Sequence, residues 1–233
     1  VKMNTTKAPL DDAECRLALT NAFDYGSAIK MIAVTDDVSQ GSPATGAIPV
    51  GMLGANPPMD ALKRDMDAAK KHLDACRYEA DDINMQANFA ELGIKSEIKK
   101  MPWALFAEQV SKPENTPHIS QLFVNAVTGD PDTLLYGMYN SKLAGTWQSP
   151  EYLKDADVDD LLEQGRDNTD LAARETAYKA LNDRLMAIAP TIYGFDRQSV
   201  FAASDRVKVP ALSDPSKAFG LDGMGFSFRL MEM

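Results

Sequence analysis

Cysteine and histidine are scarce in this chain, with two of each among 233 residues. Cys15 and Cys76 stand too far apart in sequence for a CxxC redox or zinc motif. Each falls on an apolar face of an expected helix, which suits two buried thiols or else a disulfide. His72 and His118 have no His or Cys neighbour at ligand spacing, so no metal is expected at either. A basic excess is missing as well. The formal net charge is −10, which argues against nucleic acid as a partner, because phosphate binding needs clustered Lys and Arg. Apolar runs are too short to span a bilayer, and no cleavable signal is visible at the start. The chain opens on Val1 rather than Met, as a processed or truncated product does, or a cloning artefact. Neither a Walker A nor a GxGxxG pattern occurs, so nucleotide binding lacks support and no cofactor is expected.

What is present is ordinary globular composition, 45% hydrophobic and 25% charged. A chain of this length buries a sizeable core as one large domain or two modest ones. Asp11 and Asp12 precede an expected helix through about Phe23, with Cys15, Ala18, Leu19, Ala22 and Phe23 on one face. Residues 41–58, "GSPATGAIPVGMLGANPP", hold five Gly or Ser and four Pro. They read as an ordered surface loop anchored by Ile48, Val50, Met52 and Leu53. Asp60 is expected to cap a helix whose stripe runs Leu62, Met66, Ala69, Leu73 and Cys76. A shorter helix carries Met85, Phe89 and Leu92 and ends at Gly93. Trp103, Phe106, Ala107 and Val110 predict another, and Leu171, Tyr178, Leu181, Leu185 and Ile188 a long one stopped by Pro190. Segments 94–100, 118–127, 191–203 and 225–232 read as strands, 118–127 as a largely buried one. Alternating helices and strands imply an α/β class.

The acidic run "DADVDDLLE" does not make a calcium loop. Counting from Asp155, the positions that need Gly and Glu hold Asp160 and Arg166. Carboxylates there favour a helix dipole and face water instead. Asp130 and Asp132 flank Pro131 on one tight turn, where two carboxylates rarely face a substrate between them. Neither histidine has a nucleophile motif near it, so no catalytic residue is expected. The 12 Met residues are scattered and suit gap filling. Trp103 and Trp147 are each readable as core or as the lining of an apolar ligand slot.

Taken in order, several stretches resemble the solute-binding proteins of the peptide, opine and nickel ABC importers (extracellular solute-binding protein family 5). They are "MNTTKAPLDDAECRLALTNAFDYGSAI" (3–29), "GAIPVGMLG" (46–54), "MDAAKKHLDAC" (66–76), "LGIKSEIKKMPWALF" (92–106), "GDPD" (129–132) and "DVDDLLEQGRDNTDLAARETAYKALNDRLMAIAPTIYGFD" (157–196). The resemblance implies an α/β lobe of the periplasmic-binding-protein type II kind, a mixed sheet flanked by helices. The lobe is incomplete, because family members run much longer on the N-terminal side. They also usually carry an extra strand where "RYEADDIN" here bridges directly, which implies residues missing internally. Residues 1–190 would form the second, C-terminal lobe, and 191–233 the segment returning to the first.

The same resemblance implies a function. The protein would capture a small solute outside the cytoplasm, in the periplasm, and deliver it to the membrane permease of an ABC importer. Its partners would be that solute, that permease and the N-terminal lobe of the same protein. In the family the strand before the Asp-Pro turn lines the cleft with its backbone. Here that strand end is Val124, Asn125, Ala126 and Val127, and Thr128 after it is a further ligand-binding candidate. Trp103 follows as the tryptophan that often contacts ligand; Trp147 stays a ligand-binding candidate on its own loop context. Asp130 becomes the corner of the cleft rather than a catalyst. Peptide-binding relatives commonly hold a free amino group with an acidic residue three places before the Asp-Pro aspartate. Val127 stands there, which implies a ligand without a free α-amine at that end. The rival readings are an enzyme of unknown class, which needs convergent carboxylates with a His, and a chaperone-like module with an exposed apolar cleft.

Overall fold

Five helices begin on an aspartate whose carboxylate accepts a backbone N–H of the first turn. Each satisfies an orphan donor and complements the positive end of the helix. In this computed structural model, which describes residues 1–78, 97–126, 128–198, 204 and 206, they are α1 (Ala13–Ala22), α2 (Tyr25–Met31), α3 (Met66–Ala75), α6 (Ala156–Asp167) and α7 (Leu171–Ile188), capped by Asp12, Asp24, Asp65, Asp155 and Asp170. The other two, α4 (Trp103–Gln109) and α5 (Asp132–Tyr139), follow Pro102 and Pro131. Asp60 is not the cap expected of it. It closes a 3₁₀ turn at Pro58–Asp60, and the helix starts later because Asp65 accepts from both Asp67 and Ala68. The helix of Met85, Phe89, Leu92 and Gly93 and the strand at 225–232 lie outside the described residues.

Two apolar cores carry the fold. In the first, Met3, Leu10, Leu19, Ala22, Tyr25, Ala69 and Ile192 close around α1 where it crosses α3. Cys15 and Cys76 are joined there as a disulfide, with Cα atoms 5.0 Å apart. The buried-thiol alternative is thereby removed. Helical periodicity put both cysteines on apolar faces, and the α1–α3 crossing brings those faces together. Glu14 and His72 (2.7 Å) and Asp12 and Arg77 (3.0 Å) bridge the same region.

In the second core, Ile48, Leu135, Tyr139, Leu162, Tyr178, Leu181 and Leu185 are buried between α5, α6, α7 and loop 41–58. Full burial of each aliphatic side chain contributes about 1.5–3 kcal/mol. Helices α6 and α7 approach closely because Gly165 has no side chain. A Cβ there would lie 2.6 Å from Cζ of Tyr178. The loop is held as expected by Ile48, Met52 and Leu53, while Val50 is exposed. Leu171 departs from the expected stripe. It is the first residue of α7 and is 64% exposed.

The strand component is small. Strands β1 (Lys2–Met3) and β3 (Ile119–Ser120) pair antiparallel, as do β2 (Gly41–Ser42) and β4 (Asp196–Arg197). The α/β lobe is present, with two short antiparallel pairs among the described residues where one mixed sheet was expected. Residues 97–100 form no strand, and 94–96 lie outside the described residues. Of the expected strand at 191–203, residues 191–198 hold β4 and a bridge between Thr191 and Lys2, and 199–203 lie outside the described residues. The N-terminal segment thus runs between β3 and residues 190–192, with Met3 N–H donating to Pro190 and Asn4 N–H to His118. Beneath it Lys2 and Glu151, both buried, form an ion pair at 2.7 Å. The Lys2 ammonium lies 4.7 Å from the ring centre of Tyr139, whose hydroxyl donates to Thr191.

Candidate functional site

Residues 121–126 follow β3 and were expected to be largely buried. Instead burial alternates residue by residue: Gln121, Phe123 and Asn125 are exposed, while Leu122, Val124 and Ala126 are half-buried. A period of two is the signature of an extended segment with one covered face. The covering comes from the second core, against which Val124 and Ala126 pack. Gln121, Phe123 and Asn125 make up the other, exposed face. Among the described residues, no backbone N–H or C=O of 121–126 has a hydrogen-bond partner. An unpaired run of this kind is a template for an added strand. Val127 lies outside the described residues.

The chain turns after this run, and the turn is heavily tied. Thr128 accepts from the Asp130 N–H at 3.2 Å and lies 3.3 Å from the Thr133 hydroxyl. Asp130 accepts the Asp132 N–H and a two-oxygen contact from Arg174, both oxygens at 2.8 Å. Partial burial pushes the Asp130 carboxyl upward, but the Arg174 and Asp132 donors outweigh it and hold it below the usual carboxylate range. Asp132 pairs with Arg166, whose guanidinium stacks 3.5 Å from the Tyr136 ring centre. Both carboxylates are committed to arginines, so Asp130 is a corner.

Trp103 and Trp147 meet. They sit at the start of α4 and in the loop after a 3₁₀ turn at Ser141–Leu143, with ring centres 5.3 Å apart, edge to face. Phe106 lies 5.6 Å from Trp103. Trp103 is 56% exposed and Trp147 38%. Neither is core, and an edge-to-face pair left in water presents apolar surface to a ligand.

A second aromatic pair was not anticipated. Phe123, 57% exposed, packs on Phe195 at 5.8 Å, and the Arg197 guanidinium lies 5.8 Å from the Phe123 ring centre. Gly41 on β2 makes room for it, since a Cβ there would meet Phe195 Cδ2 at 2.7 Å. Any extended segment puts Phe123 opposite Val124, but 118–127 read as largely buried. Nothing local marked that face as the open one.

An open depression of about 710 Å³ lies elsewhere, between α6 and α7, lined by Leu161, Gln164, Asn168, Ala173, Thr176 and Ala180. It contains none of the expected site residues. The one His–carboxylate contact among the described residues, Glu14 with His72, belongs to the α1–α3 crossing.

No protein-family model and no curated protein matches this chain. Solved structures do. HbpA2 from Haemophilus parasuis superposes with a TM-score of 0.75 at 20% identity, over 89% of this chain and 44% of that one. A dipeptide-binding protein from Pseudoalteromonas, in complex with Met-Leu, gives 0.72 at 22% identity, over 89% and 44%. The periplasmic binding protein AgaA from Agrobacterium tumefaciens, in complex with agropinic acid, gives 0.70 at 25% identity, over 84% and 43%. The chain spans less than half the length of each of these proteins. It carries, over that part, the fold of the family 5 peptide- and opine-binding periplasmic proteins of ABC importers.

Proposed function

We propose that the chain is the ligand-capturing lobe of an extracytoplasmic solute-binding protein that delivers a small peptide-like, opine-like or sugar solute to an ABC permease. One observation carries this reading: the backbone of 121–126 is unpaired among the described residues. It also carries an exposed aromatic, Phe123, on its open face. A backbone edge gives affinity through main-chain hydrogen bonds, and aromatic surface gives apolar contact without chemistry on the ligand. The Trp103–Trp147 pair supplies further aromatic surface. Residues 1–190 are the lobe, 191–233 return to an N-terminal lobe, and closure of the two lobes traps the solute and signals the permease. The periplasm is the proposed compartment. Among the described residues no helix is long and apolar enough to cross a membrane.

Native mass spectrometry of protein purified without refolding tests the reading. A co-purified small solute, displaced on unfolding, is the expected result. Persistent absence of any bound mass, together with no heat of binding for peptides, opines or sugars in calorimetry, refutes it.

A further inference from the structure

We infer that Asp12, Cys15 and Cys76 form a site for a thiophilic divalent cation, such as zinc, once the disulfide between the two cysteines is reduced. The site lies where α1 crosses α3 and is independent of the capture role proposed above.

The ligand atoms are already gathered. A carboxylate oxygen of Asp12 and the two Sγ atoms all lie within 4.8 Å of one another. Ligand atoms around tetrahedral zinc sit about 3.6–3.8 Å apart, from Zn–S near 2.3 Å and Zn–O near 2.0–2.2 Å. With the two cysteine Cα atoms 5.0 Å apart, side-chain rotation reaches that spacing while the crossing stays fixed. Sulfur ligands select zinc or cadmium over magnesium and calcium. Three protein ligands leave the fourth position to water.

The surroundings suit a cation. Asp12 caps α1, and Cys76 closes α3. The Asp12 carboxylate is oriented by the Glu14 N–H on Oδ1 and by the N–H and Nε of Arg77 on Oδ2, each at 3.0 Å. A carboxylate has about four lone-pair positions, so one stays open to a metal, and donors behind a ligand fix its direction. Charge closes too. Two thiolates and one carboxylate exceed a divalent cation by one negative charge, and the Arg77 guanidinium beside Asp12 balances it. Cys15 is buried, whereas Asp12 and Cys76 are half-buried, so reductant and cation enter past Cys76. His72 is engaged with Glu14 at 2.7 Å and is not counted as a ligand.

The chemistry balances. A phosphine breaks the S–S bond, giving up two electrons and taking an oxygen from water, whose two protons complete the thiols. The cation then displaces both thiol protons to solvent and forms two sulfur bonds and one oxygen bond. In the oxidised chain the sulfurs are bonded to each other and offer no thiolate.

The test uses the full chain, reduced by a phosphine, freed of it without air and titrated with cadmium chloride. A cadmium–thiolate charge-transfer band in the ultraviolet should saturate at a single equivalent in the reduced chain and be missing from the oxidised one. Zinc chloride should displace the cadmium and raise the melting temperature of the reduced chain alone. Asp12→Asn keeps a capping oxygen and both thiols, yet it should weaken zinc binding by at least about tenfold, a loss that even an outer-shell change can cause. Circular dichroism at the working temperature reports whether the reduced helices persist. If they do not, zinc should restore them. No saturable band, zinc affinity unchanged in Asp12→Asn, or a reduced chain that zinc neither stabilises nor refolds overturns the site.

Discussion

Breaking the Cys15–Cys76 disulfide is expected to destabilise this protein strongly. The bond closes a loop spanning 61 residues. On the chain-entropy account, a 15-residue loop contributes about 3 kcal/mol and a 100-residue loop about 4.7, which places this one near 4.3 kcal/mol. The bridging contacts beside it do not make up the loss. Arg77 is largely exposed, and Glu14 and His72 are both partly so, and ion pairs of that kind are worth about 0–1 kcal/mol each. For a chain of this size each kcal/mol moves the melting temperature by about 2–4 °C, so the expected drop is about 9–17 °C. Calorimetric scans with and without a phosphine reductant measure it, with alkylation and mass measurement to show that both thiols have been freed. The Cys15→Ala/Cys76→Ala double variant should reproduce the reduced protein. A fully alkylated chain that melts within about 1 kcal/mol of the oxidised one would show that the α1–α3 crossing needs no covalent tie.

Three other outcomes are expected. Trp103→Ala should weaken ligand binding by about 1–3 kcal/mol with little change in a urea melt, because Trp103 is exposed; unfolding without a separable binding defect would make it a structural residue. Glu151→Gln leaves the buried Lys2 ammonium without its partner, at a cost of about 3–5 kcal/mol, whereas Lys2→Met with Glu151→Leu should cost far less than the two single changes added; additive urea midpoints would contradict that. At Asp130 and Asp155 burial works upward, but Arg174 and Arg184 outweigh it, and both carboxyls sit below their ordinary values. Groups with depressed folded values stabilise fully above the unfolded aspartate value of about 3.9 and lose that contribution as pH falls through their folded values. Urea midpoints should therefore hold above about pH 4 and fall below it, and Asp155→Asn should flatten that acid limb; an unchanged limb would mean the Arg184 pair contributes nothing.

Much of this molecule is legible locally. Asp12 before α1, Pro190 after α7 and the apolar spacing of Tyr178, Leu181 and Leu185 are patterns within a few residues, and the helices follow them. The Gly-Asp-Pro-Asp corner is legible for the same reason, since Asp130 accepts an N–H only two residues on. Order along the chain also marked the α/β lobe. Meetings between distant residues were not legible. Periodicity put Cys15 and Cys76 on apolar faces, yet only the crossing of α1 over α3 made them a disulfide. Trp103 and Trp147 read equally well as core, and only the tertiary packing shows them exposed. The alternation around Phe123 defined two faces of 121–126. Which face is open was decided by the second core, which covers Val124 and Ala126. Arg197 is unremarkable in sequence. Its place over Phe123 follows from the pairing of β2 with β4, which no local pattern shows. Side-chain spacing determines which groups share a face, and packing alone determines what that face meets.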